Sequence, residues 1–196
     1  MKNACKSCRR EGEKLFLKGE RCYAQKCAMI KRPYGPGDHG PGMKKKISEY
    51  GRQLREKQKL SAIFGISASM LEGTYKKSDK ASGNTTENLM KSIVLRLDNF
   101  AYITGLFSSR SAARQAVSHR ALRLNGERVS VASIILKAHD EVEIVKKSNE
   151  EPKISKLPAW TEYQKSSKKF IIKREPMPDE IDINVNESLV AEYYSR

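Results

Sequence analysis

Four cysteines near the start of the sequence have the spacing of a metal site: Cys5, Cys8, Cys22 and Cys27 form a C-x2-C-x13-C-x4-C array. Four thiolates match the tetrahedral preference of Zn²⁺ and leave no position for water, so such a site would support folding rather than catalysis. Zn²⁺ is therefore predicted, with an iron–sulfur cluster or unmetallated thiols as the alternatives. Disulfides are not expected, because the sequence shows no secretory signal and is predicted to be cytosolic, where thiols stay reduced.

A second pattern, G-x-G-x-x-G at Gly35, Gly37 and Gly40, is that of a loop around a dinucleotide pyrophosphate. Such a loop follows a buried strand and opens a helix. Here the preceding residues, CAMIKRPY, are too few and too basic for a central strand, and Pro36 lacks the N–H that a phosphate would need. Residues 35–42 are therefore predicted to be a turn-rich connector, and no NAD site is expected.

The residues after this connector predict a basic helix. Its apolar residues recur at helical spacing: Ile47, Tyr50 and Leu54. A basic stripe lies on the same helix at i, i+3 and i+7: Arg52, Arg55 and Lys59. Residues 76–86 are polar and predict a loop, and Asn84 is placed to cap the helix that follows.

Residues 99–145 predict a compact unit in the order helix, helix, hairpin, strand. Gly105 can end the first helix in a left-handed conformation, and Ser109 is placed to cap the second, RSAARQAVSHR. Asn125-Gly126 is the strongest short hairpin signal, and EVEIV at 141–145 alternates like a further strand.

The second of these helices carries residues that suit phosphate. Arg110 and Arg114 lie one turn apart, with Ser111 and Gln115 beside them. Guanidinium groups with hydroxyl and amide neighbours near a helix N-terminus can contact an RNA backbone. The same spacing also fits a solvated helix face, so the pattern alone leaves both interpretations open.

The charge of the chain favours a polyanionic partner. Its 196 residues include 38 Lys and Arg against 23 Asp and Glu, a net charge of +15. Residues 1–60 hold 17 basic and 6 acidic side chains, a net charge of +11. Such an excess repels itself in a compact body and attracts nucleic acid. No apolar run approaches the roughly 18–20 residues of a membrane span, so no membrane partner is expected.

Residues 96–133 closely resemble the RNA-binding module of the small-subunit ribosomal protein four family. The marks are RLDN at 96–99, SRSAARQ at 109–115, VSH at 117–119 and NG at 125–126. This module also occurs in RNA-modifying enzymes and some aminoacyl-tRNA synthetases. The flanking stretches narrow the resemblance to the ribosomal protein family: YGPGDHG, EYGRQLREKQKL, GNTTENL, LPAW and NVNESLVAEYYSR. The cysteine spacing resembles that of the zinc-bearing bacterial branch, and Arg120-Ala121 stands where the family often has Gly-His.

The resemblance implies an α+β fold. A mainly helical, discontinuous first domain carries an N-terminal zinc unit, and a small module of two helices on a short antiparallel sheet is inserted in it. The implied segments are a zinc-binding extension over residues 1–43, a helical domain over 44–95, the RNA-binding module over 96–173, and a C-terminal segment over 174–196 that returns to the helical domain.

The resemblance also implies a structural constituent of the small (30S) ribosomal subunit in the cytoplasm. It would bind the 5′ domain of 16S rRNA at a multi-helix junction early in assembly, contact ribosomal protein five, influence translational accuracy and repress its own mRNA. No small-molecule substrate is expected. The resemblance and the basic helix together give a predicted set of RNA-binding residues: Lys44, Lys45, Lys46, Arg52, Arg55, Lys59, Arg110, Ser111, Arg114, Gln115, His119, Arg120, Arg123 and Asn125.

An enzyme is not expected. Arg96-Leu97-Asp98 resembles the RLD of pseudouridine synthases that carry the same module, in which the aspartate is the nucleophile. Those enzymes need a large catalytic domain, and little more than fifty residues follow the compact unit that ends at residue 145. Asp98 is instead expected to anchor backbone or an arginine. The alternative function is a free-standing RNA-modification or RNA-quality-control factor.

Overall fold

The computed structural model describes residues 3–42, 46–145, 157–181 and 183–196. The chain forms two compact units: one consists of Met1–Thr86 with Ile183–Arg196, and the other of Glu87–Asp182. The described part of the first unit is helical, whereas the second combines helices with an antiparallel sheet. The expected α+β fold is therefore confirmed. Among the described residues, no helix is both long enough and apolar enough to cross a lipid bilayer.

The first unit contains helical elements of very different length, of which the longest spans Glu49–Phe64. They are α1 (Ala4–Glu11), a 3₁₀ turn (Gly19–Cys22), α2 (Ala28–Lys31), α3 (Glu49–Phe64), α4 (Ala68–Lys80) and α8 (Glu187–Tyr194). Serine side chains cap the N-termini of α3 and α4, because Ser48 accepts from the Gly51 N–H and Ser67 from the Met70 N–H, each at 3.2 Å. Gly65 ends α3 with a φ of 62°.

Helix α8 returns from the end of the chain to pack along α3. The Gln53 amide donates to the Glu192 carboxylate at 2.9 Å, and the Asn186 N–H donates to Glu56 at 2.9 Å. Contacts between residues this far apart in sequence close the first unit, so its helical core depends on the last segment of the chain.

The described part of the second unit combines three helices with a five-stranded sheet. Its elements are α5 (Thr85–Val94, which begins in the first unit), α6 (Leu97–Ile103), α7 (Arg110–Ser118), β1 (Leu122–Leu124), β2 (Glu127–Val129), β3 (Glu141–Ile144), β4 (Thr161–Gln164) and β5 (Lys169–Ile172), followed by a 3₁₀ turn at Pro178–Glu180. The strand order is β2-β1-β3-β5-β4, and every pairing is antiparallel.

The core of this unit is aromatic and aliphatic. Phe100 from α6 lies with its ring centroid 5.9 Å from Trp160 and 6.4 Å from Phe170, and all three side chains are buried. Leu122 on β1 and Val142 on the neighbouring strand β3 are also fully buried. Helix α6 is thereby fixed against the sheet, which sets the position of the polar residues it carries.

The region between α4 and α6 differs from the local predictions in one respect and agrees in another. Helix α4 extends through Lys80, so the predicted loop over 76–86 is shorter and is confined to the residues between Lys80 and the start of α5. Helices α5 and α6 are separate, because the chain breaks at Arg96 to form a β-bridge with Ile135. The Asn84 side chain does accept from the Thr86 N–H at 2.9 Å at the start of α5, as predicted.

Candidate nucleic-acid interface

Helix α7 presents one polar face and buries the opposite one. The Ser109 hydroxyl accepts from the Ala112 N–H at 3.2 Å, which confirms the predicted cap. Ala113 and Val117 are fully buried, whereas Ser111 and Gln115 are exposed. The helix therefore turns hydrogen-bonding side chains outward from a small, tightly packed inner face.

Asp98 forms the centre of a buried ion-pair network beneath α7. Its carboxylate accepts from the Arg96 guanidinium at 3.1 and 2.9 Å, and from Arg114 Nε at 2.8 Å. Asp98 and Arg96 are buried, while the Arg114 side chain is 36% exposed. The carboxylate thus anchors arginines, as expected, and its oxygens are engaged by guanidinium groups rather than presented to a substrate.

Arg110 is also held inside the second unit. Its Nε donates to the Asn99 side chain at 2.7 Å, and the guanidinium lies 4.4 Å from the centroid of the Tyr102 ring. Burial lowers the pKa of the Arg110 guanidinium, and the neighbouring Tyr102 and Asp98 oppose that shift. Arg110 and Arg114 therefore lock α7 to α6, a structural role that their spacing alone did not reveal.

The hairpin residues of the predicted set are partly committed to the fold as well. Asn125 adopts a φ of 50°, donates to Asp140 at 2.9 Å and accepts from the Glu141 N–H at 2.8 Å. Arg123 pairs with Glu143 at 3.1 Å, and its side chain is 41% exposed. Asn125 thus fixes the Asn-Gly turn, while Arg123 keeps part of its surface in solvent.

His119 and Arg120 lie exposed at the C-terminus of α7. Arg120 has a φ of 55°, a conformation usually taken by glycine. Together with Ser111 and Gln115 they form an exposed polar surface on α7 that is available to a ligand, and we call these four residues the α7 face.

The basic stripe on α3 is only partly exposed. Arg52 is exposed, but Arg55 donates to the Arg10 carbonyl oxygen at 2.7 Å. Lys59 is buried and forms an ion pair with Glu13. The helical spacing correctly placed the three residues on one side of α3, but that side partly faces the N-terminal segment. Lys46 is exposed, and Lys44 and Lys45 lie outside the described residues.

The four cysteines lie around one small cavity of about 20 Å³. All four are free thiols; three are buried and Cys5 is half-buried. Backbone N–H groups point at two of the sulfurs, from Leu15 to Cys8 and from Lys18 to Cys22, the latter at 3.3 Å. Burial raises the pKa of the Cys8 thiol, and the neighbouring cysteines raise it further.

The donor set fits a thiolate-binding metal, since four sulfurs line one small cavity and two of them accept backbone hydrogen bonds. Within the described residues, no three His, Cys, Asp or Glu side chains are arranged as a group that could hold a metal ion. The residues therefore match the chemistry of the predicted site without forming a coordinating group as they stand.

A basic surface beside the cysteines was missed by the sequence reasoning. A shallow cavity of about 720 Å³ is lined by Arg21, Lys26, Lys31 and Arg32, all exposed, together with Glu20. No ion pair holds any of these four cations within the described part of the chain. The signal is present in the sequence, because these basic residues crowd around the cysteine array.

The glycine pattern at 35–42 forms a tight loop held against α1. Arg9 donates to the Tyr34 and Gly35 carbonyl oxygens at 2.9 and 3.1 Å. A Cβ on Gly40 would lie 2.0 Å from the Gly35 oxygen, so the close approach of two backbone segments requires glycine there. Helix α2, rather than a strand, precedes the loop, in agreement with the prediction of a connector.

Comparison with known families agrees with this architecture. Residues 1–93 match the model of the ribosomal protein S4/S9 N-terminal domain, and residues 95–142 match the S4 domain. The chain is 44% identical to small ribosomal subunit protein uS4 of Pelotomaculum thermopropionicum over 99% of this chain and 97% of the relative. It is 42% identical to the uS4 protein of Clostridioides difficile over 98% and 97% of the two chains.

These relatives carry the names of ribosomal components and not of enzymes, which bears out the expectation that the chain is not an enzyme. The two family models cover most of the sequence, including the α7 face and the cysteine array. The resemblance noted from the motifs is confirmed: the chain belongs to the small ribosomal subunit protein uS4 family.

Proposed function

We propose that this chain is a structural constituent of the small ribosomal subunit, binding the 5′ domain of 16S rRNA at a multi-helix junction early in assembly. The observation that carries the proposal is the α7 face, whose exposed donors stand on a helix fixed by the buried Asp98 network. A rigid surface of this kind recognises the shape of a folded RNA, since side chains cannot read the deep major groove of an A-form helix.

Phosphate contacts in the first unit would come from cations that the fold leaves in solvent: Arg21, Lys26, Lys31, Arg32, Lys46 and Arg52. Arg55 and Lys59 are omitted from this set because they bind the N-terminal segment. Each cation that neutralises a phosphate releases counterions, so affinity should fall steeply with salt.

The proposal includes a structural Zn²⁺ ion held by Cys5, Cys8, Cys22 and Cys27. Bound there, a Zn²⁺ ion would cross-link α1 to the segment that follows it, in a region with few buried side chains. The chain's own contribution is the cluster of four thiols and the backbone N–H donors at Cys8 and Cys22. This would fix the neighbouring basic surface in one orientation.

Contact with ribosomal protein five, an influence on translational accuracy and repression of the chain's own mRNA are supported by the family relationship alone. They are included in the proposal as consequences of membership in the subunit.

The test is binding of the full chain to the 5′ domain of 16S rRNA and to an unrelated folded RNA of equal length, across a salt series. Preference for the 5′ domain that persists at salt concentrations abolishing binding to the second RNA is expected. Equal affinities with equal salt slopes would mean that net charge does the binding and would reject the assignment.

The zinc component is tested by metal content and hydrogen exchange. We expect one Zn²⁺ per chain, and we expect chelation to speed amide exchange over residues 3–31 more than over residues 96–145. The Cys22→Ser variant should show the same preferential increase in amide exchange over residues 3–31. No bound metal, or exchange unaffected by chelation, would remove zinc from the proposal and leave its RNA component intact.

A further inference from the structure

The second unit contains an open groove of about 540 Å³ between α7 and the end of β3. Its floor is the alanine side of α7, where Ala112 and Ala116 lie one turn apart and leave room above the helix. Its walls include Phe107, Ile144 and Val145, which remain half-exposed. The groove is therefore an open slot with apolar side chains on its floor and walls and an aromatic ring at its side.

The rim of the groove carries hydrogen-bond donors and positive charge. Gln115, His119 and Arg120 line it and are exposed, and no Asp or Glu is among the residues that line it. Its polar groups thus suit a ligand that is flat and apolar on its faces, polar at its edges and attached to an anion.

Arg120 occupies the rim at a conformational cost. The Arg120 N–H donates to the Val117 oxygen at 2.8 Å and the Ala121 N–H donates to the Ala116 oxygen at 2.9 Å, the two bonds that close a helix through a left-handed residue. Glycine suits this position because a Cβ crowds the backbone at positive φ. A strained residue that the fold alone does not require suggests a functional reason for its side chain.

We propose that this groove binds one unstacked nucleobase of an RNA, with the base against Phe107 and its phosphate held by Arg120. The proposal rests on the RNA-binding function proposed above and names the feature of the RNA that this part of the chain recognises. The volume lies within the range of pockets that enclose small flat ligands. Splayed bases that stack on aromatic side chains are a common feature of RNA recognised by proteins.

The first pair of variants separates folding from binding. Arg120→Gly removes the left-handed strain, so it should raise resistance to urea while weakening RNA binding. Lys168→Gly is the matched control: Lys168 is an exposed cation in the same unit, has a φ of 53° and does not line the groove. It should gain stability in the same way without losing RNA affinity beyond the effect of one charge.

The second variant removes the aromatic face. Phe107→Leu keeps an apolar side chain but removes the stacking surface, so RNA binding should weaken about tenfold. The slope of log affinity against log salt should not change, because no phosphate contact is lost. The probe is an RNA hairpin with a single bulged 2-aminopurine, whose fluorescence is quenched when the base stacks. Wild-type full-length chain should quench it, and both Phe107→Leu and Arg120→Gly should reduce the quenching.

Two results would overturn the base site. One is the absence of quenching by the wild-type chain, and the other is equal quenching by wild type, Phe107→Leu and Arg120→Gly. If these variants bind RNA normally but incorporate poorly into small subunits, a protein segment occupies the groove and the base site is wrong. The proposed function is judged separately, by the preference of the wild-type chain for 5′-domain rRNA over the control RNA. Each proposal can therefore fail while the other stands.

Discussion

Asp98→Asn should be among the most damaging conservative substitutions in the second unit. The wild-type carboxylate is 2% exposed and accepts hydrogen bonds from two arginines. An asparagine amide keeps the shape but cannot neutralise either guanidinium, and its NH₂ group would face an N–H donor. The substitution therefore replaces charge-assisted hydrogen bonds by weaker or repulsive contacts.

The magnitude follows from how deeply each partner is buried. Arg96 is 8% exposed, so it cannot regain its hydration when the carboxylate is lost, whereas the Arg114 side chain is 36% exposed and can turn to water. Breaking one buried ion pair costs about 3–5 kcal/mol. Because only one of the two arginines is buried, we expect a loss near the lower end, about 3 kcal/mol.

The assay is hydrogen exchange at the amides of α6 and α7 in the full chain, supported by urea titration followed by circular dichroism. Local exchange is needed because two units can unfold in separate steps. Glu143→Gln is the control: Arg123 and Glu143 are 41% and 22% exposed, so losing that pair should cost below about 1 kcal/mol. Equal losses in the two variants would refute the central role of Asp98.

Three further outcomes follow from contacts in the structure. Arg52→Gln should lower the slope of log affinity against log salt by about 0.7–0.9, whereas Lys59→Gln should leave that slope unchanged and destabilise the first unit; a slope change in both would contradict the burial of Lys59. Asn125→Ala should cost about 2 kcal/mol, since it removes two hydrogen bonds at a left-handed position, and urea titration showing no loss would count against this. Gly40→Ala should open the loop at residues 35–42 to protease cleavage, because the new Cβ would meet the Gly35 oxygen at 2.0 Å; unchanged resistance would argue against the close approach.

Elements marked by a local chemical signal were predictable from the sequence. Ser109, Gly105 and Asn125-Gly126 each impose a cap or turn through their own side chain or its absence, and the structure contains all three features. The cysteine array was equally local, and its four thiols do share one cavity.

Features decided by distant partners were not predictable in the same way. The spacing of Arg55 and Lys59 could not reveal that Arg10 and Glu13, more than forty residues earlier, would engage them. Likewise, the break at Arg96 depends on a bridge to Ile135, and β4 and β5 are too short to show a period of their own. Periodicity gives the face of an element but not what covers it.

Because α8 packs along α3, the second unit can finish folding before the first during synthesis. The residues of the second unit emerge from the translating ribosome before residues 183–196, so that unit can fold while the first still lacks its final helix. Until α8 arrives, Gln53 lacks its bond to Glu192, and Glu56 lacks the Asn186 N–H. A chain that stopped before residue 183 would therefore contain a finished second unit and a first unit without the helix that packs along α3.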